Sequence, residues 1–410
     1  MTNDDKIVIS ANLEKRVKKH IKGKNHNFFG IVSPGLENIA FNELKSLGVS
    51  DIGDVIKGGI EFQSKIVDCY KVNLSSRILT RVLLRLSDFK ATNFRVLYNK
   101  VKLLPWELYL SNGININFNV ETSQSRLYHT GGIEDAFIKG INEKVLPFNI
   151  DINFDKDNND SLTVFVRIVD DRCFISLDTT GEPLYKRGEK VFVSEAPLRE
   201  TFASAILFES EIENMDILID PMCGSGTFSI EGYGIRNFKI PGVSRKFSFE
   251  KFPSFSEKSY NHLKKSLLDL NSDKRKNNTK ILQIITSDKD KKMVDIASKN
   301  FKNIGIIDSI QLSDTDFFNL DYTFPKDKKS LIVINPPYGK RLHEKNVIDL
   351  YNKISLKLKK SFSSSSYAVI IPGSITSKIN LPYDKCLKFK HGGIEVDVRI
   401  KINQTEKDIL

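Results

Sequence analysis

The sequence predicts an α/β protein whose C-terminal half is a doubly wound, mostly parallel sheet, preceded by a smaller α+β region. Three observations carry this expectation. First, the apolar run Ile217, Leu218, Ile219 ends in Asp220, a Gly-rich turn follows (Pro221-Met222-Cys223-Gly224-Ser225-Gly226), and a helix-like stretch opens at Thr227. Second, four apolar residues, Leu331 to Ile334, run into Asn335-Pro336-Pro337-Tyr338-Gly339. Third, strand-like and helix-like segments alternate between and beyond these two stretches, the rhythm of βα units feeding a parallel sheet.

The Gly-rich turn is read from its chemistry. Gly224 and Gly226 allow a tight turn with no Cβ between the chain and a ligand, and free N–H groups at the helix start face that ligand. A plain α/β turn would look similar. A P-loop is disfavoured because Thr227, not Lys, follows Gly226. A dinucleotide fingerprint wants an acid about 20 residues on, whereas the next convincing strand, Ile281 to Thr286, leads to Asp288. The prolines after Asn335 cannot continue a ladder and fix the backbone, so Asn335 and Tyr338 sit at the carboxyl end of a strand, where such sheets bind ligands. Together, the turn and Asn335-Pro336-Pro337-Tyr338 resemble the S-adenosylmethionine-dependent amino-methyltransferases, a Rossmann-like family whose Asn-Pro-Pro-Tyr motif holds an exocyclic base nitrogen.

Composition sets the class. A chain of 410 residues exceeds one compact core, and 40% hydrophobic with 28% charged residues is ordinary for a globular protein. No apolar run reaches membrane-spanning length and Met1 to Ser10 lacks a signal peptide's apolar core, so a cytoplasmic location is expected. Cys69, Cys173, Cys223 and Cys386 share no Cys-x-x-Cys spacing, and the six histidines show none typical of metal ligands. Neither a disulfide framework nor a metal site is expected. Cys223 reads as a small residue packed under the turn rather than a nucleophile. A net charge of +11 points to a polyanionic partner.

Taken in order, Leu13 to Lys24 carries six Lys/Arg against Glu14, with Leu13, Val17 and Ile21 four residues apart. This short basic helix reads either as an RNA-contacting arm (Lys15, Arg16, Lys18, Lys19) or as a solvated terminus. Phe28 to Val32 is a strand; a helix follows with Leu36, Ile39, Ala40, Leu44 and Leu47 on one face. Val55 to Phe62 is expected as one strand broken at Gly58-Gly59, Ile66 to Ile78 as a helix, and Val82 to Leu86 as a strand. That βαβαβ order suggests a ferredoxin-like unit. Ile114 to Val120 alternates as a strand, Ile133 to Val145 is an amphipathic helix, and Leu162 to Val169 with Cys173 to Asp178 form a hairpin about Asp170-Asp171. Beyond the Gly-rich turn, Tyr260 to Leu270 is helical and Asn271 to Lys280 a polar loop. Helices Met293 to Asn303 and Val347 to Lys360 and strands near Ile310, Leu331 and Tyr367 follow, and a hairpin from Lys388 to Ile402 supplies an antiparallel edge.

The N-terminal part resembles the THUMP-containing RNA-modifying enzymes, in an ordered set of pieces. These are Phe28-Phe29-Gly30-Ile31-Val32-Ser33-Pro34-Gly35, Lys57 to Phe62, Ser76-Arg77, Arg81 to Leu86, and Ile175 to Leu184. Ala196-Pro197-Leu198-Arg199-Glu200-Thr201 and the Pro241-to-Pro253 insertion continue the likeness. From about Phe28 onward the chain is similar to the large-subunit ribosomal RNA guanine-N2-methyltransferases of the RlmL type. The second methyltransferase domain fused to some relatives is expected to be absent. The division expected is a basic arm over 1–27, a ferredoxin-like unit over 28–70, a THUMP domain over 71–188 and a methyltransferase domain over 189–410.

The resemblance implies the roles. S-adenosylmethionine is the cofactor, against Pro221, Cys223, Gly224, Gly226 and Thr227, with Asp220 near its amine and Asp288 on the ribose hydroxyls. Asp316 takes the adenine amino group, with Asp314 as rival, and Phe317 packs on the ring. Asn335 and Pro336 accept the two N–H bonds of guanine N2, Pro337 stiffens the loop, and Tyr338 stacks on the flipped base; Asn335 also borders the cofactor. Arg126 joins the RNA contacts, and Arg341 either contacts phosphate or caps its turn. The partner implied is ribosomal RNA, free or in a precursor large subunit. Transfer RNA, a DNA adenine substrate that would not need the region before Gly181, and a non-catalytic assembly factor stay as alternatives.

Overall fold

The computed structural model describes residues 11–190, 192, 197–278, 280–322, 325, 327–337 and 344–403. Two sheets organise them. The first has eight strands in the order β2-β3-β1-β4-β8-β7-β5-β6. Its strands are β1 (Asn25–Ile31), β2 (Asp51–Ile56), β3 (Gly59–Lys65), β4 (Arg81–Lys90), β5 (Ile114–Ser123), β6 (Ile152–Asn153), β7 (Leu162–Val169) and β8 (Arg172–Asp178). A helix α1 covers residues 11–22, followed by α2 (Glu37–Ser46), α3 (Ile66–Ser75), α4 (Phe94–Leu103) and α5 (Thr130–Val145).

The first unit departs from expectation. Val55 to Phe62 is not one strand: the chain turns at Lys57-Gly58, Gly59 opens the next strand, and β2 and β3 pair antiparallel. Gly58 adopts φ +87°, which a side chain resists, and a Cβ on Gly59 would lie 2.0 Å from the Phe29 ring. The order is therefore βαββαβ, with spatial order β2-β3-β1-β4, which is the ferredoxin-like arrangement in full. The β7–β8 hairpin is as expected, its two turn residues Asp170 and Asp171 both at positive φ. Strand β4 pairs with β1 on one side and β8 on the other, so both N-terminal units share one sheet.

Helix α1 is neither a free arm nor a frayed end over residues 11–22. Val17 and Ile21 are buried against Leu108 and Tyr109, and Arg16 donates to Glu107 at 2.6 Å and lies over the Phe148 ring.

The second sheet has the order β11-β10-β9-β12-β13-β15-β14. It comprises β9 (Ile217–Asp220), β10 (Gln283–Ser287), β11 (Ile310–Ser313), β12 (Ser330–Ile334), β13 (Ser366–Pro372), β14 (Lys385–His391) and β15 (Ile394–Lys401). Strands β9 to β13 pair in parallel, and the β14–β15 hairpin closes the edge antiparallel to β13. The connecting helices are α6 (Glu200–Glu209), α7 (Thr227–Arg236), α8 (Glu257–Asn277), α9 (Lys291–Asn303) and α10 (Glu344–Ser361). The polar stretch expected as a loop after Leu270 is helical to Asn277. Ser256 caps this helix, accepting from Ser259 N–H, and Lys274, Arg275 and Lys276 complement the dipole of its last turn.

The seam between the two sheets is a core. One hydrophobic cluster runs from Phe28 through Trp106 to Ile400 without a break. Tyr70 on α3 stacks on Phe249 with ring centres 4.2 Å apart. Beside it lies a buried ionic cluster. Glu231 on α7 accepts from Arg77 at 2.8 Å and from Ser204 at 2.6 Å, with Arg187 at 3.2 Å. Arg77 also donates to the Lys239 carbonyl at 2.6 Å. The helix that begins at the Gly-rich turn is thus tied to the N-terminal units through a charge that has lost its water.

Candidate functional site

The chain runs β9, β10, β11 outward in one direction, then returns to place β12 and β13 on the other side of β9. The order reverses between β9 and β12, and such a switch point opens a crevice at the carboxyl ends of the strands. The Gly-rich turn leaves β9 there and Asn335 leaves β12 there. A cavity of about 360 Å³ fills the crevice, a size suited to one small ligand.

The turn is held from three sides. The Cys223 N–H donates to the Ser287 carbonyl at 3.0 Å, and the Gly226 N–H donates to the Cys223 carbonyl at 2.8 Å. The Gly224 N–H donates to the Asp288 carboxylate at 3.0 Å. Gly224 has φ +54° with open space where a Cβ would project; Gly226 has φ +83° and a Cβ there would lie 2.5 Å from Phe301. One glycine therefore serves the ligand side and the other the packing side.

Most residues singled out from sequence meet at this cavity: Pro221, Cys223, Gly224, Thr227, Asp288, Asp316, Phe317, Asn335 and Pro337 line it. Asp288 accepts from Gly224 and Asp290 backbone N–H groups with separate oxygens, leaving lone pairs for a ligand. Asp316, rather than its rival Asp314, is on the wall, and it accepts from the Phe318 N–H at 3.0 Å. Phe317 packs inward against Phe362, the ring planes 15° apart; half-buried Phe318 offers the more open ring. The Asn335 Oδ1 is buried and finds no hydrogen-bond partner among the described residues. Pro336 is buried behind it. Burial pushes the Cys223 thiol well above its ordinary value, which suits a packing residue and not a thiolate.

Asp220 is placed differently from expectation. It is sealed beneath the turn, off the cavity wall, and accepts from the Ser229 hydroxyl at 2.9 Å. Burial raises its carboxyl from 3.8 to about 7, with the Asp288 charge adding to the effect and the Ser229 hydrogen bonds opposing it. A raised folded-state value means the protonated acid's contribution is full below pH 3.8 and lost as pH rises through about 7. Relative to Asp220→Asn, the wild type should lose on the order of 4 kcal/mol between these limits. Thermal melts of both proteins from pH 4 to 8 check this; parallel curves would contradict it.

Tyr338 and Arg341 lie outside the described residues. Lys15, Lys18 and Lys19 are exposed along α1, while Arg16 is engaged with Glu107. Arg126 is exposed and near Asp171 at 3.5 Å. Sequence reasoning missed Met222, Phe228, Met293, Phe318 and Leu350, which complete the cavity, and Lys190. The Lys190 ammonium joins Glu200 at 2.9 Å, the Thr227 hydroxyl at 3.0 Å and the Leu198 carbonyl at 3.3 Å. No local pattern marks these, because they converge from separate elements. Among the described residues no group of His, Cys, Asp and Glu could hold a metal ion, and no helix is long and apolar enough to cross a membrane.

The reversed sheet order, the glycine turn and the acids that follow β10 and β11 are those of a Rossmann-like methyltransferase sheet. Three family profiles make this particular. The chain matches the models of an RlmL ferredoxin-like domain over residues 27–83, a THUMP domain over 91–178 and an RMKL-like methyltransferase domain over 187–381. It is similar to a ribosomal RNA large subunit methyltransferase K/L of Buchnera aphidicola, 32% identical over 83% of this chain and 48% of that protein. The chain spans about half the length of the large-subunit relatives it matches. Among solved structures, SMU.472, a putative methyltransferase complexed with SAH, is 28% identical with TM-score 0.82, covering 93% of this chain and 99% of that one. A predicted N6-adenine-specific DNA methylase from Listeria monocytogenes is 26% identical with TM-score 0.79, covering 93% of this chain and 97% of that one.

Proposed function

We propose that this chain is an S-adenosylmethionine-dependent RNA methyltransferase acting on the exocyclic N2 of a guanosine in large-subunit ribosomal RNA. The observation that carries the acceptor assignment is the unpartnered Asn335 Oδ1, a buried oxygen beside the cavity that calls for an N–H donor. The likeness to ribosomal RNA methyltransferases and to a protein complexed with SAH supports the substrate and the cofactor.

The residues present fit the cofactor. Gly224 leaves backbone open, Asp288 and Asp316 offer carboxylates on the wall, and Phe318 gives an aromatic face. When bound, S-adenosylmethionine supplies a methyl already activated on a sulfonium. What remains for the chain is positioning. The Asn335 Oδ1 and the Pro336 carbonyl accept the two N2–H bonds, aiming the nitrogen and raising its electron density, because the guanine N2 lone pair is otherwise delocalised into the ring. Tyr338 is assigned the stacking role on the flipped base. The units before residue 189 dock the RNA, aided by Lys15, Lys18, Lys19 and Arg126.

A DNA adenine substrate shares the Asn335 chemistry, but leaves the THUMP domain without a purpose. Mass spectrometry of ribosomal and transfer RNA nucleosides from cells with and without the protein tests the reading. Loss of N2-methylguanosine from large-subunit RNA is expected. Its loss from transfer RNA instead would move the assignment to that substrate.

A further inference from the structure

We infer a second nucleic-acid site, a basic groove that holds the backbone of single-stranded RNA flanking the acceptor nucleotide. It rests on the reading that the cavity methylates an RNA base. The groove lies between the 182–190 loop, the 244–246 segment and the start of α6, and encloses about 700 Å³. Pro197 and Leu198 line both this groove and the proposed methyl-transfer cavity, so the two adjoin.

Its walls are built and its rim is open. Arg245 donates to the carbonyls of Glu182, Pro183 and Lys186 and lies 5.4 Å over the Phe247 ring, which fixes one wall to the loop. Burial lowers its guanidinium to about 10, so it remains charged at neutral pH. Lys190, held by Glu200, Thr227 and Leu198, fixes the floor to the first residue of α7. Arg199 and Lys246 are exposed, and among the described residues neither has an ion-pair partner. Among the described residues Lys186 pairs only with Glu182, both more than half exposed at 58% and 68%, and such pairs exchange partners at little cost. The Arg199 guanidinium lies 4.9 Å over the Tyr185 ring, giving an aromatic and a cation on one platform.

Free cations beside an aromatic face are what a single strand recognises: charge tracks the phosphates and the ring accepts a base. A duplex does not suit this groove. The acceptor must leave its stack to enter the cavity, so its neighbours in the adjoining groove are unpaired. The docking units select the RNA at a distance; the groove threads the strand to the acceptor.

The full chain carrying Arg199→Gln with Lys246→Gln tests this, beside a charge-matched control, Lys258→Gln with Lys265→Gln on exposed positions of α8. The probe is a mixed-sequence single-stranded oligoribonucleotide in filter binding across a salt series. Cofactor affinity by calorimetry and melting curves accompany it. Because two phosphates are no longer neutralised, the slope of log affinity against log salt should shrink by about 1.4, with cofactor affinity and melting unchanged and the control at the wild-type slope. A groove variant with wild-type slope and affinity overturns the inference, as does an equal loss in the control. Methylation of stripped large-subunit RNA by the wild type is read separately. If methylation fails while the slope changes, the proposed activity falls and the groove stands; if methylation proceeds and the slope does not change, the reverse holds.

Discussion

Asn335→Ala is expected to abolish most methyl transfer while leaving the protein folded and both ligands bound. The Asn335 Oδ1 is a buried acceptor with no partner among the described residues, so its removal deletes no hydrogen bond within the described fold and relieves a desolvated oxygen. Little stability should be lost on that account. Catalysis is another matter, because misplacing a nucleophile by ~1 Å costs on the order of a hundredfold in rate. Most binding energy lies elsewhere, in the cofactor cavity and in phosphate contacts. Asn335→Asp keeps the shape and the acceptors and should retain more activity than Ala. Single-turnover methylation beside a melting curve reads both quantities. A folded Asn335→Ala protein with near-normal turnover would remove Asn335 from the mechanism.

The second large effect is on stability. Glu231→Ala leaves the Arg77 and Arg187 guanidiniums buried without the carboxylate that joins them. Breaking a buried pair by removing one partner costs about 3–5 kcal/mol, since the desolvation penalty of the remaining charge is no longer offset. Burial already lowers the Arg77 guanidinium below its ordinary value, so that environment does not welcome an unpaired cation. Urea denaturation measures the loss, and Glu231→Gln should lose less because it keeps acceptors for Arg77 and Ser204. Arg77 precedes β4 and Glu231 lies on the helix after the Gly-rich turn, so the lost pair is one that joins the two sheets. A methyltransferase half cut free near residue 189 would expose this cluster and Phe249, and should be poorly stable by itself.

The parts of the site written in consecutive residues were legible in the sequence. The apolar run into Asp220 and the glycines at 224 and 226 announce a strand end and a turn, Asn335-Pro336-Pro337 announces a strand end, and the structure has each. The chain order of strands also gave the antiparallel edge hairpin. What was hidden depends on partners far apart in sequence. Gly58-Gly59 looked like a break within one strand because Val55 and Ile56 are as apolar as a core strand, yet both are exposed on the edge strand β2. The end of α8 looked like a loop because its residues are polar; a capped surface helix with Tyr260 as its buried residue does not need an apolar face throughout. Asp220 ends its strand as expected, but only the fold shows that Ser229 closes over it. The Glu231 cluster joins residues 77, 187, 204 and 231, a juxtaposition that no local pattern encodes.

The most direct test uses purified full chain, S-adenosylmethionine labelled on its methyl, and large-subunit ribosomal RNA stripped from cells lacking the protein. After digestion, the nucleoside that carries the label is identified by mass spectrometry. Label is expected in N2-methylguanosine, and is absent when Asn335→Ala replaces the wild type. Label confined to N6-methyladenosine, or no transfer to RNA by a protein that binds the cofactor, would contradict it.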